Sequence, residues 1–266
     1  MQRSALQERG QDVPHTLIMS ATPIPRTLSL TLFGDLDIST IDEMPAGRQK
    51  VATKWLEPEQ RGTAYGFIRK QVEEGRQAFV VCPLVDESET IESKAATEEY
   101  QRLSQDIFPD LSLGLLHGRM PAKDKDKVMR QFRDGELDIL VSTPVVEVGI
   151  DVANATVMMI DGADRFGLAQ LHQFRGRVGR GEHKSYCILM SDSASEIAKE
   201  RLSALARIHD GFQLAEVDLE LRGPGDFFGT RQSGLPSLKM AHISDRELLE
   251  LARDEATMLM EQDPEL

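Results

Sequence analysis

The chain has 266 residues, 40% hydrophobic and 28% charged, which is an ordinary globular balance with room for one large domain or two smaller ones. Its 44 acidic residues outnumber 31 Lys plus Arg, and the resulting net charge of -13 excludes an indiscriminate polyanion binder. Aromatic residues make up only 5%, which excludes an extended base-stacking surface.

No apolar run reaches the roughly 18 residues that a membrane-spanning helix needs. The first residues, "MQRSALQERG", lack the apolar stretch of a signal peptide. Cys82 and Cys187 each sit in an apolar run. They read as buried thiols of a reducing compartment, the cytoplasm, and their spacing suggests no metal site.

In chain order, "HTLIMSAT" reads as a short buried strand bounded by Pro14 and Pro23. Pro25 then opens "RTLSLTLFG", a short helix stopped by Gly34. One strand and one helix form no domain, so residues 1–47 read as the tail of a domain whose body lies elsewhere.

From Arg48 the pattern alternates. "VATKWL", "QAFVVCPLV", "LSLGLLH", "LDILVST", "ATVMMIDG" and "SYCILM" read as strands. Between them, helices are expected over Glu57–Glu74, Ser88–Ile107, Pro121–Asp134 and Gly167–Val178. The strands are continuous apolar runs, the signature of a parallel sheet covered on both faces. The expected fold class is therefore α/β, with helices on both faces of a parallel sheet over residues 48–192. Ligands of such sheets lie beyond the carboxyl ends of the strands, which points to the loops "CPLVDES", "HGRMP", "STPVVEVGIDV" and "DGADRFG".

Residues 193–266 read differently. Ala194–His209 is a charged amphipathic helix ended near Gly211, and "FQLAEVDLEL" is a second helical piece. "RGPGDFFGTRQSGLPS" is rich in glycine and proline and reads as an ordered loop or as a linker. Phe227 and Phe228, side by side, would be costly if exposed, which favours a packed loop. A last helix follows, with Ser244 as N-cap and Glu247 completing a capping box.

The sharpest constellation is "QFRGRVGR", Gln173 to Arg180, with three arginines in six residues and Gly176 and Gly179 between them. It belongs to the one basic patch, where Arg165, Arg175, Arg177, Arg180 and Lys184 face only Asp164 and Glu182. Arg177 and Arg180, three apart on a helix end, would share a face and aim two guanidinium groups at one point, as a triphosphate requires. "STPVVEVGIDVANA" follows a strand. Thr143 can bond a phosphate oxygen, Gly149 permits a tight turn, and Asp151 can accept from a sugar hydroxyl. In "SATPIPRTL", Ser20 and Thr22 follow a strand, where a plain turn is the alternative.

The order of these segments carries more than any one of them. "SATP", "TPVVEVGID" and "QFRGRVGR" resemble motifs III, V and VI of superfamily 2 helicases and translocases. Within that superfamily the chain resembles the RecG family of branched-DNA helicases. "MSATPIPRTLSLTLFGDLDISTIDEMPAGR" is similar to its motif III region, "LHGRM" to its motif IVa, and "ELRGPGDFFGTRQSG" to its translocation motif. The related transcription-repair coupling factors share that last motif, and a noncatalytic nucleic-acid or ATP-binding module is the other alternative. Neither "GxxxxGK[ST]" nor "DExH" occurs in the chain. Those motifs belong to the family's first RecA-like domain.

The resemblance implies a RecA-like fold: the tail of a first motor domain (1–47), a second RecA-like domain (48–192), and a translocation unit of helical hairpin, loop and helix (193–266). It implies ATP between two motor domains, with Mg2+ held mainly by the first. Arg177 and Arg180 would be arginine fingers, Gln173 would assist at the phosphates or at the domain interface, Gly149 would shape its loop, and Asp151 would contact the ribose. Ser20 and Thr22 would couple nucleotide to DNA. Thr143, His117 and Arg119 would meet the DNA backbone, His117 being alternatively a hydrogen-bonded structural residue. Arg222, Arg231 and Gln232 would act in translocation. The implied partners are branched or forked DNA and ATP, no membrane, and the implied state is a monomeric motor.

Overall fold

In the computed structural model the described residues are 17, 19, 39, 41, 43, 48–82, 89–147, 151–193, 195–222 and 246–262. Six parallel strands form one sheet: β1 (Ala52–Leu56), β2 (Gln77–Val81), β3 (Leu113–Leu116), β4 (Ile139–Ser142), β5 (Ala155–Ile160) and β6 (Tyr186–Met190). Their spatial order is β1-β6-β5-β2-β4-β3. Helices α1 (Arg61–Glu73), α2 (Glu89–Arg102), α3 (Ala122–Arg133) and α4 (Leu168–Arg175) connect them. Helices α5 (Glu196–Arg207), α6 (Gly211–Arg222) and α7 (Arg246–Gln262) follow the last strand.

The alternation of side chains along each strand separates two cores. Phe79 and Val81 of β2, Leu140 of β4, Met158 and Ile160 of β5 and Leu189 of β6 point to one face. There they meet Phe132 of α3, Leu171 and Phe174 of α4, Leu202 and Leu205 of α5, and Leu214 of α6. Ala78, Val80, Val141, Val157, Met159 and Met190 point to the other face, against Ile68 of α1, Ala96 of α2, and Leu103 and Phe108 just beyond α2. Each large side chain fully buried in these layers contributes about 1.5–3 kcal/mol. The parallel sheet covered on both faces is the expected fold.

Burial on both faces is not uniform, however. β2, β4 and β5 are buried at every position, whereas β1 alternates exposed and half-buried residues before the buried Leu56, and β3 alternates half-buried and buried ones. The reason is their place: β1 and β3 are the two edges of the sheet. Helix α2 runs on into a π turn, Leu103–Ile107, inside the helical span expected there.

Candidate functional site

The arginine loop grows out of α4. Leu168, Leu171 and Phe174 form the buried face of that helix, so its axis is fixed against the sheet. The helix ends at Arg175 with Gly176 as its cap. Arg177 and Arg180 therefore do not share a helical face, contrary to the expectation from their spacing. Gly179 turns the chain with φ +77°, a conformation that glycine adopts without strain. Beyond it, a Cβ on Gly181 would lie 2.5 Å from the Ala153 carbonyl oxygen, so only glycine lets the two backbones touch.

That contact joins "QFRGRVGR" to "STPVVEVGIDVANA". Arg180 Nη1 lies 3.2 Å from Asp151 Oδ2, and Arg180 Nε donates to the Gly176 carbonyl at 3.1 Å. Asn154 anchors the Asp151 segment, its Nδ2 donating to the Gly75 carbonyl at 2.9 Å. Arg48 Nη2 donates to the same Gly176 carbonyl at 2.8 Å. Burial holds the Arg48 guanidinium below its ordinary value, and the charge of Arg180 adds to the effect. Gln173 is half-buried on α4, and Arg177 is half-buried just past the helix end.

The location differs from the rule for open sheets. Gly179 lies against Val51, Gln49 and Ser185, and Gly181 lies against Ala153. Those residues immediately precede β1, β6 and β5. The arginine cluster thus sits at the amino edge of the sheet, not at the carboxyl edge. The reason is that α4 runs back across one face of the sheet and delivers its C-terminus to the start of β6.

The third arginine of the motif is structural. Arg175 is buried, and its Nη1 donates to the carbonyls of Leu205 and Ile208 at 2.7 and 2.8 Å. Its Nη2 donates to the His209 carbonyl at 3.2 Å and to His172 Nδ1 at 2.8 Å. This guanidinium ties α4 to the turn between α5 and α6.

His117, Arg119 and Thr143 lie at the opposite, carboxyl edge, after β3 and β4. The Thr143 amide donates to the Leu116 carbonyl at 3.1 Å, which holds these loops together. Thr143 is buried and Arg119 exposed. Among the described residues, His117 Nδ1 is buried and has no hydrogen-bond partner. Burial, with Lys125 and Arg119 nearby, holds its imidazole below the ordinary value.

Arg222 is the last residue of α6. Ser20, Thr22, Gly149, Arg231, Gln232 and the Ser244 cap lie outside the described residues. Sequence reasoning gave no role to Arg48 or Gly181. Their signals were an arginine just ahead of the first strand and a glycine following Arg180. Among the described residues no group of three or more His, Cys, Asp or Glu side chains could hold a metal ion, and no helix is long and apolar enough to cross a membrane.

Chemically, the amino-edge cluster offers planar guanidinium forks and one carboxylate. That donor set fits a phosphate chain with hydroxyls beside it. In this structure Arg180 and Asp151 satisfy each other, so a ligand would enter by exchange with that ion pair.

The parallel sheet and the arginine loop define a RecA-like helicase C-terminal domain, and a family profile described as helicase conserved C-terminal domain matches residues 63–182. A second profile, for domain 3, C-terminal, of the ATP-dependent DNA helicase RecG, matches residues 208–266. The ATP-dependent DNA helicase RecG of Synechocystis sp. is 51% identical over 266 residues, 100% of this chain and 32% of its own length. That of Bacillus subtilis is 51% identical over 263 residues, 98% of this chain and 38% of its own length. A RecG solved bound to a three-way DNA junction superposes with a TM-score of 0.69 at 45% identity, covering 90% of this chain and 32% of that one. The chain belongs to the RecG family and corresponds to the C-terminal part of its members. It spans about a third of the length of the curated relatives it matches.

Proposed function

We propose that this chain is the second motor half of an ATP-dependent DNA helicase that remodels branched DNA, such as stalled forks and Holliday junctions, in recombination and repair. The observation that carries the reading is the meeting of Arg180 and Asp151 at 3.2 Å, brought together from two separate motifs at one edge of the sheet. A relative in complex with a three-way DNA junction supports branched DNA as the partner.

ATP with Mg2+, when bound between this domain and a first motor domain, supplies a phosphoryl group whose transfer to water drives the cycle. Arg180 and Arg177 reach across the interface and stabilise the charge that develops on that group. Gln173 orients the phosphates, Asp151 takes the ribose hydroxyls, and Gly149 shapes the loop that carries Asp151. Because these groups act only on domain closure, hydrolysis reports closure. At the carboxyl edge, Thr143, His117 and Arg119 hold the DNA backbone, which gives grip without sequence preference. Ser20 and Thr22 couple nucleotide to DNA, and Arg222, Arg231 and Gln232 convert closure into translocation by a monomeric motor in the cytoplasm. The segment 142–155 runs from the carboxyl edge of β4 to the amino edge of β5, so one connection carries both Thr143 and Asp151.

The test is junction-stimulated ATP hydrolysis by a protein of the relatives' full length, against the 266-residue chain alone. Hydrolysis by the long protein and none by the chain is expected, because the chain has neither phosphate loop nor "DExH" carboxylates. Stimulated hydrolysis by the chain itself would refute this division of labour.

A further inference from the structure

Arg48 stands beside the nucleotide site without a phosphate or sugar to bind in the proposed function. It stands just ahead of β1. Its Nη2 and the Nε of Arg180 donate to one acceptor, the Gly176 carbonyl, at 2.8 and 3.1 Å. The residues that follow Arg48 are fastened to the same loop. Gln49 Nε2 donates to the Glu182 carbonyl at 2.8 Å, and Val51 Cγ2 would be 3.0 Å from a Cβ on Gly179. The strap 48–51 is thus held against the arginine loop at several points.

Two like charges on one carbonyl repel, and at Arg48 the effect of the Arg180 charge is larger than the opposing effect of Asp151. When Arg180 leaves Gly176, the carbonyl would lose its donor if Arg180 were the only one. Arg48 stays in place and keeps it satisfied. Departure of Arg180 therefore orphans no acceptor at the helix end and relieves a like-charge contact.

We propose that Arg48 is a positioning residue for Arg180: it occupies the helix-end carbonyl and, by its charge, keeps Arg180 free to exchange from Asp151 to a phosphate. The catalytic consequence rests on the reading of Arg180 as a phosphate-reaching arginine; the positioning itself does not. Without Arg48, Arg180 would settle on Gly176 and Asp151 and leave them reluctantly. The substitution Arg48→Lys keeps both the charge and a donor, whereas Arg48→Gln keeps a donor alone.

Two measurements test it. In this chain, solvent exchange of the Arg180 Nε–H is followed by NMR in the native protein and in Arg48→Gln and Arg48→Lys, with circular dichroism as the folding control. Exchange slowed by about threefold or more in R48Q, and native in R48K, is expected. Unchanged or faster exchange in a folded R48Q overturns the proposal. In the full-length protein, R48Q should lower ATPase kcat about tenfold with little change in KM, R48K should recover most of it, and R48Q/R180A should be no worse than R180A. Additive losses overturn the positioning role in catalysis. Slowed exchange together with an R180A that still turns over would leave the positioning standing and refute the reading of Arg180 instead.

Discussion

Arg180 and Asp151 come from different motifs and meet as an ion pair, Nη1 to Oδ2 at 3.2 Å, over a contact between Gly181 and Ala153 that no larger residue permits. The pair is partly open to solvent, so as a surface salt bridge it contributes only about 0–1 kcal/mol to stability. Its cost of opening is correspondingly small, which suits two groups that exchange each other for a ligand.

In a protein of the relatives' full length, Arg180→Ala should leave nucleotide binding largely in place and abolish turnover. Arginine fingers supply roughly 10³–10⁵ in rate, about 4–7 kcal/mol. Arg180→Lys should rescue poorly, because an ammonium lacks the planar fork. Steady-state hydrolysis beside a nucleotide-binding titration decides this, and a loss under about tenfold would remove Arg180 from the phosphate site.

In a protein of the relatives' full length, Arg231→Ala or Gln232→Ala should separate two activities. DNA-stimulated hydrolysis should persist while fork unwinding is lost, because the loop lies outside both nucleotide motifs. Both activities are read on one forked substrate, with circular dichroism for folding. Equal loss of both in a folded variant would place these residues in the ATP cycle.

Arg175→Met should destabilise this chain by on the order of 3–5 kcal/mol. The carbonyls of Leu205, Ile208 and His209 would lose a charged donor in a buried site. Urea unfolding measures the loss. A change within about 0.5 kcal/mol would mean that the turn between α5 and α6 holds without this guanidinium.

His172 gives the fold an acid-sensitive point. Burial, then the charge of Arg175, pushes its imidazole down to about 4. Arg175 donates to Nδ1, which fixes the neutral tautomer with the proton on Nε2. The unfolded chain takes up this proton near pH 6.5 and the folded chain resists it. Stability from this residue is therefore complete above about pH 6.5 and is lost as pH falls toward about 4. Between pH 7 and 4.5 the loss should be about 2 kcal/mol, and His172→Asn, which keeps an acceptor but does not titrate, should flatten that part of the profile. Parallel unfolding curves for both proteins across this range would refute the assignment.

The sequence by itself determined where the six strands of the sheet lie, because β2, β4 and β5 are apolar runs broken only by Gln77, Ser142 and Thr156, and burial on both faces selects such a composition. It also determined the family, through the order of three motifs. It did not determine the order β1-β6-β5-β2-β4-β3, because a local apolar pattern records burial and not the neighbour that provides it. The β1 run accordingly read as a covered strand and is an edge. Only the tertiary structure decided that Arg180 faces Asp151 at the amino edge, that Arg175 spends its charge on three backbone carbonyls, and that Arg48 reaches a carbonyl 128 residues away. For Arg180 and Arg48 the partner is set by which strands lie side by side, and for Arg175 by which helices pack together on one face; both are properties of the whole fold rather than of any stretch of chain.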